Sequence, residues 1–161
     1  MKKILIALDY NPSAEKIAET GFALAQAMGA EVILMHVLAE PSYYSTLDFS
    51  PIMGYTGFSS PDMLMQVDDT EIRKASEAFL AQSKMHLGDE RITTLIGEGD
   101  CADAILKACS ELKVDIIVMG THSRSGFDKI LMGSISQKVL NHVEIPVLVI
   151  PTKNLDKKAV Q

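Results

Sequence analysis

Residues 114–136 read VDIIVMGTHSRSGFDKILMGSIS, and the order of events in that stretch decides the fold class. An apolar run from Val114 to Met119 ends at Gly120, and a polar loop follows. Gly133-Ser134 then opens a helical pattern marked by Ile135, Val139 and Leu140. An uninterrupted apolar run of this kind suits a strand buried on both faces of a parallel sheet. A glycine-bearing loop between such a strand and a helix start suits an anion, because free backbone N–H groups and the positive helix end meet there. A nucleotide phosphate against this loop is the first functional expectation.

The same alternation runs outward in both directions. Ile4–Leu8 reads as strand one, although Met1-Lys2-Lys3 ahead of it superficially resembles a secretory start; only five apolar residues precede Asp9. Asn11-Pro12-Ser13 signals a turn and a helix start, and Ile17, Ala18, Gly21, Phe22, Ala25 and Met28 recur at helical spacing until Gly29. Glu31–Leu38 is strand two, apolar except for His36, which reads as a packed or edge histidine. Helix two starts at Ser60-Pro61-Asp62, or at Asp68 or Asp69, buries Ile72, Ala75, Phe79 and Leu80, and stops at Gly88. Arg91–Ile96 alternates more than the other strands, which predicts an edge strand. Gly97–Asp100 turns into helix three, whose inner face is Cys101, Ile105, Ala108 and Leu112; Asp100 and Asp103 suit its positive end. Pro146–Ile150 is strand five.

Strands alternating with helices predict an α/β fold: a single five-stranded parallel sheet with helices on both faces and right-handed crossovers. The 161 residues are read as one domain, with 39–60 an insertion loop and 154–161 a polar tail. In a 3-2-1-4-5 strand order the sheet reverses between strands one and four, and ligands bind past the carboxyl ends of strands at such a point. The residues there are Asp9 and Gly120-Thr121-His122. Within 39–60, Tyr43, Tyr44, Phe49, Tyr55 and Phe58 either cover a ligand or partner, or tuck over the helices as a packed surface loop.

Composition narrows the function classes. A formal net charge of −6 and a pI near 5.1 argue against sequence-independent nucleic-acid binding, which needs a basic face, but not against one bound nucleotide. Cys101 and Cys109 lie eight apart in one helix, too far for a disulfide and without metal-ligand spacing, which suits a reducing compartment. No apolar run approaches the ~20 residues of a membrane span. A cytoplasmic protein is expected.

Around the loop each residue carries two readings. Gly120 lets the chain turn sharply and a ligand approach the backbone. Gly133 and Ser134 present N–H groups and a hydroxyl to phosphates, yet Ser134-Ile135-Ser136-Gln137 is also a capping box. Asp9 is placed to accept from ribose hydroxyls or help hold Mg²⁺, or is a turn residue before Asn11-Pro12. Arg124 and Lys129 either meet a phosphate or stay solvated, and His122 either donates to a phosphate or has no role. The chain contains no P-loop, no G-x-G-x-x-G fingerprint, no zinc-spaced Cys/His cluster and no nucleophile elbow. With no evident general base, no catalytic residue and no protein metal centre are assigned.

Taken together these residues resemble the universal stress protein family. Gly120-x2-Ser123-x9-Gly133-Ser134 reproduces the spacing of that family's G-x2-G-x9-G-[ST] motif, with Ser123 where the second glycine belongs. Met119-Gly120-Thr121-His122, Ser125-Gly126-Phe127, Ala7-Leu8-Asp9, Met35-His36-Val37 and the ending Ile145–Pro151 are similar too. The resemblance covers Ile4 to about Pro151. It implies a Rossmann-like, adenine nucleotide alpha hydrolase-like fold holding ATP, or ADP or AMP, with Mg²⁺ as a companion. Asp9 would serve the ribose or adenine side, and Val37 would meet adenine through its backbone. Ala7, Leu8 and Met119 would line the site. Gly120, His122, Gly133, Ser134, Ile135 and Ser136 would surround ribose and phosphates. It also implies a homodimer joined through strand 146–151, consistent with the apolar edge Val147–Ile150. Ser123 would bind phosphate through its N–H and hydroxyl, at roughly 1 kcal/mol if the backbone there is left-handed.

Three readings follow: a dimeric stress-response module that holds a nucleotide, a slow ATPase, and a dimeric interaction protein that has lost nucleotide binding.

Overall fold

The structure, a computed structural model, describes residues 1–10, 13–38, 69–121 and 133–152. Its elements are β1 (Lys3–Ala7), α1 (Ala14–Met28), β2 (Glu31–Val37), α2 (Asp69–Leu87), β3 (Thr93–Gly97), α3 (Cys101–Leu112), β4 (Ile116–Thr121), α4 (Ser134–His142) and β5 (Val147–Pro151). The five strands are parallel, in the order β3-β2-β1-β4-β5. The expected α/β sheet and its strand order are therefore present.

Period-two alternation in the strands sends side chains to two separate cores. Ile4, Ile6, Leu8, Val32, Leu34 and Val118 pack on one face with Ile17, Ala18 and Ala25 of α1 and Leu80 of α2. Leu5, Ile33, Met35, Val37, Ile117 and Met119 pack on the other with Ala102, Ile105 and Ala108 of α3 and Val139 of α4. β1 takes part in both cores, so Ile4, Leu5 and Ile6 are fully buried. Helix ends follow the expected glycines. Gly29 adopts a left-handed conformation after α1, and Gly88 does so after α2.

Several boundaries differ from expectation. Val114 precedes β4, because it finishes α3: Lys113 is left-handed at φ 54° and the Val114 N–H donates to the Cys109 carbonyl at 3.0 Å, while Asp115 next to it already donates its N–H to the Lys3 carbonyl at 2.9 Å. β4 instead runs on to Thr121, drawn out by its pairing with β5 through Gly120–Ile150 and Thr121–Pro151. Arg91 and Ile92 precede β3, since Asp89 holds a turn by accepting from the Arg91 N–H at 2.9 Å and the Ile92 N–H donates to the Asp89 carbonyl at 3.2 Å. Met28, expected on the buried stripe of α1, is exposed at the helix's last turn. The expected 39–60 loop, the 154–161 tail, Asn11-Pro12 and the Ser60-Pro61-Asp62 helix start lie outside the described residues.

Candidate functional site

The hydrogen-bonded register between β1 and β4 ends at Ile6–Val118. Beyond it β1 stays paired with β2 while β4 continues along β5, so the strand order reverses at the carboxyl ends of β1 and β4, the place where a parallel sheet of this kind has its ligand crevice. Ala7 closes β1, and Leu8 and Asp9 follow it at the lip of this crevice. Ala7, Val37, Met119 and Ile135 share one apolar cluster, which brings four of the expected site residues from four elements together.

α4 supplies the opposite wall. Gly133 is its N-cap, with φ −58° and ψ 153°, and among the described residues no side chain caps the helix. The Gln137 N–H donates to the Gly133 carbonyl at 2.9 Å, the first helical bond. This corrects the capping-box expectation: Ser134 is the first helical residue rather than the cap. The N–H groups of Ser134, Ile135 and Ser136 therefore have no acceptor within the helix. Ser136 is buried, and its hydroxyl donates to the Gly120 carbonyl at 3.0 Å, clamping the first turn of α4 against the end of β4.

Gly120 has a role other than the expected turn. It sits inside β4, and a Cβ built there would lie 2.5 Å from Ile17 Cδ1 and 2.8 Å from Thr152 Cγ2. Glycine is needed because α1 and the residue after β5 both crowd this point. Thr152 was not foreseen, since nothing in the sequence after Pro151 marks it. It is buried, its N–H donates to Thr121 Oγ1 at 3.1 Å, and its hydroxyl donates to the Thr121 carbonyl.

Charge at the crevice is set by Asp9, which is half-buried and accepts from the Tyr10 N–H at 2.8 Å. Burial pushes the Cys101 thiol up to about 12, helped by the negative charges of Asp9 and Asp100. Burial likewise holds His36 below its usual range, against the opposing pull of the Leu8 carbonyl and Asp9. Both findings place Asp9 electrostatically close to the start of α3 and to β2. Asp100 caps α3 by accepting from the Asp103 N–H at 3.0 Å. Lys138 of α4 bridges Asp100 at 3.0 Å and Asp103 at 2.9 Å, tying the two helices at the crevice end. This lysine carries no sequence motif. His122, Ser123, Arg124 and Lys129 lie outside the described residues. Among the described residues no helix is long and apolar enough to cross a membrane.

Comparison with known proteins covers nearly the whole chain. A model of the universal stress protein family matches residues 1–151. Universal stress protein MJ0577 of Methanocaldococcus jannaschii is 29% identical over 156 residues, spanning 95% of this chain and 96% of its own. The solved structure of MJ0577 superimposes with a TM-score of 0.66 at 26% identity, over 93% of this chain and 95% of the other. The same fold is shared, at 19% identity and a TM-score of 0.59, with a universal stress protein of Archaeoglobus fulgidus solved in complex with dAMP, over 93% and 98% of the two chains. It is shared too with a universal stress protein solved in complex with cAMP, at 18% identity and a TM-score of 0.57, over 92% and 95% of the chains.

Proposed function

The chain belongs to the universal stress protein family, and from that premise we propose that it is a regulatory module binding an adenine nucleotide between the ends of β1 and β4. The observation that carries this reading is the start of α4. Its first-turn N–H groups have no helical acceptor, the N-cap Gly133 has no side chain to cap them, and Ser136 fixes this turn against the end of β4. Such a turn favours phosphate, because several N–H donors and the helix dipole act on one anion. Complexes of two family members with dAMP and cAMP support adenine as the base.

On this reading the phosphates of ATP, or of ADP or AMP, meet Gly133, Ser134, Ile135 and Ser136, with His122, Ser123 and Arg124 completing the loop side. Ala7, Leu8, Met119 and Gly120 line the cleft. Asp9 accepts from the ribose or helps hold Mg²⁺, and the Val37 backbone meets adenine. Residues 1–161 act as one cytoplasmic unit in which 39–60 is an insertion loop and 154–161 a tail. Two copies pair through strand 146–151. β5 lies at the sheet edge with Leu148 exposed, and an unpaired apolar edge is a surface that proteins cover.

The test is calorimetric titration with Mg-ATP beside Gly133→Val, after the purified protein has been checked for carried-over nucleotide. At φ −58° and ψ 153° Gly133 occupies a conformation that valine adopts without strain, so the variant adds bulk at the phosphate site while the helix start is kept. Binding by the wild type that is lost in the folded variant supports the site. A nucleotide-free wild type that binds none of ATP, ADP or AMP refutes it and favours a dimeric interaction protein.

A further inference from the structure

The hydrogen-bond ladder between β1 and β2 ends on a side chain. Ile4 pairs with Val32 and Ile6 with Leu34, and Leu8 continues the register by donating its N–H to the Met35 carbonyl at 2.8 Å. The next rung of a parallel ladder would run from the Val37 N–H to the Leu8 carbonyl. At that carbonyl stands His36 Nδ1, 2.9 Å away. A carbonyl oxygen only accepts, so Nδ1 carries the proton and the imidazole donates.

The ring is held in place from the α2 side. Tyr10 packs against it with centroids 4.4 Å apart, and Phe79 meets it edge-on at 5.9 Å. The Ser76 hydroxyl spends its one hydrogen on the Ile72 carbonyl at 2.9 Å, so the Tyr10 hydroxyl donates to Ser76 Oγ at 2.6 Å. His36, Tyr10 and Ser76 are all buried.

We propose that His36 is a positioning residue for base selection: by occupying the Leu8 carbonyl it stops the ladder one rung early and turns the Val37 N–H and carbonyl toward the crevice. This inference rests on the nucleotide reading above. In a strand the N–H and carbonyl of one residue point the same way, so Val37 offers a donor beside an acceptor. Adenine presents the complement, an acceptor at N1 and a donor at N6. Guanine presents a donor at N1 and an acceptor at O6, which sets like against like. The discrimination is therefore built from backbone, and its orientation depends on one imidazole N–H.

The experiment compares wild type, His36→Asn and His36→Phe in two readouts. Asparagine places an amide N–H near the Nδ1 position, whereas phenylalanine keeps the packing on Tyr10 and Phe79 and loses the donor. The first readout is amide hydrogen exchange at Val37 by NMR in the nucleotide-free protein. The second is calorimetric affinity for ATP and GTP. Val37 exchanges faster than Leu34 in wild type and His36→Asn, and slows in His36→Phe as its N–H closes on Leu8. ATP binding weakens about tenfold in His36→Phe and its advantage over GTP shrinks, while His36→Asn retains both. A wild-type Val37 amide as protected as that of Leu34 overturns the inference, as does unchanged ATP preference in His36→Phe. Should the phenylalanine variant fail to fold, wild-type exchange and the asparagine rescue still decide it. A wild type that binds no nucleotide while its Val37 amide exchanges fast refutes the nucleotide reading, and base selection with it, but leaves the ladder geometry supported.

Discussion

Substituting Gly120 by alanine tests whether β4 is glycine-dependent through packing rather than through a turn. The added Cβ would stand 2.5 Å from Ile17 Cδ1, 2.8 Å from Thr152 Cγ2 and 3.4 Å from Ile17 Cγ1. Carbon atoms pack at about 3.5–4.0 Å, so about 1 Å must be found on two sides at once. Ile17 Cδ1 is a side-chain tip and can rotate, although the residue is buried. Thr152 is less free, because both its N–H and its hydroxyl are bonded to Thr121. Partial relief of this kind corresponds to overpacking, which costs about 1–3 kcal/mol. A loss of about 2 kcal/mol would lower Tm by about 4–8 °C in a chain of this size. The assay is urea and thermal unfolding of Gly120→Ala alone and combined with Ile17→Val or Thr152→Ser, which remove one clashing methyl each. Ile17→Val costs about 0.5–1.5 kcal/mol in the wild-type background but should restore stability in the alanine background. A wild-type Tm for Gly120→Ala would refute the reasoning. So would strictly additive behaviour with both partner substitutions, because contact through a shared atom must appear as coupling.

Three further outcomes are expected. Ser136→Ala removes the buried hydroxyl that donates to the Gly120 carbonyl, and should lower the urea midpoint by an amount equivalent to about 1 kcal/mol with the m-value unchanged. Burial holds the His36 imidazole below the usual histidine value near 6.5, so the unfolded chain binds its proton first on acidification. This contribution is fully present above pH 6.5 and is lost at up to about 1.4 kcal/mol per pH unit as pH falls toward the folded value; subtracting the profile of His36→Asn isolates it. Cys101 and Cys109, whose thiols are raised to about 12 and about 11, should react with a thiolate-selective reagent at pH 8 far more slowly in the folded protein than in urea.

The fold was legible because its signals are local. Apolar runs such as Ile4–Ile6 and Val32–Met35 are buried on both faces, so tertiary context had no polar face to rearrange. Gly29 and Gly88 stop helices through their own left-handed backbone, and Asp100 caps α3 through its own side chain. Boundaries were less legible where a neighbour decides them. β4 extends to Thr121 because β5 pairs with it, and Val114 is held back by the end of α3. The cap of α4 was misread for the same reason: Ser134-x-x-Gln137 fits a capping box by spacing alone, but Ser136 docks on Gly120 and sets the helix to begin after Gly133.

The candidate site divides in the same way. The sequence by itself determined that a buried strand runs into Gly120, that a helix starts at Gly133-Ser134, and that Asp9 follows strand one, since each of these is a property of neighbouring residues. Only the tertiary structure decided that Ala7, Val37, Met119 and Ile135 share one cluster, that Thr152 and Ile17 close on Gly120, and that His36 Nδ1 meets the Leu8 carbonyl at the end of the β1–β2 ladder. Those are contacts between residues far apart in the chain. Periodicity names the face on which a side chain lies; which atom it meets there is set by how the sheet brings separate strands into register.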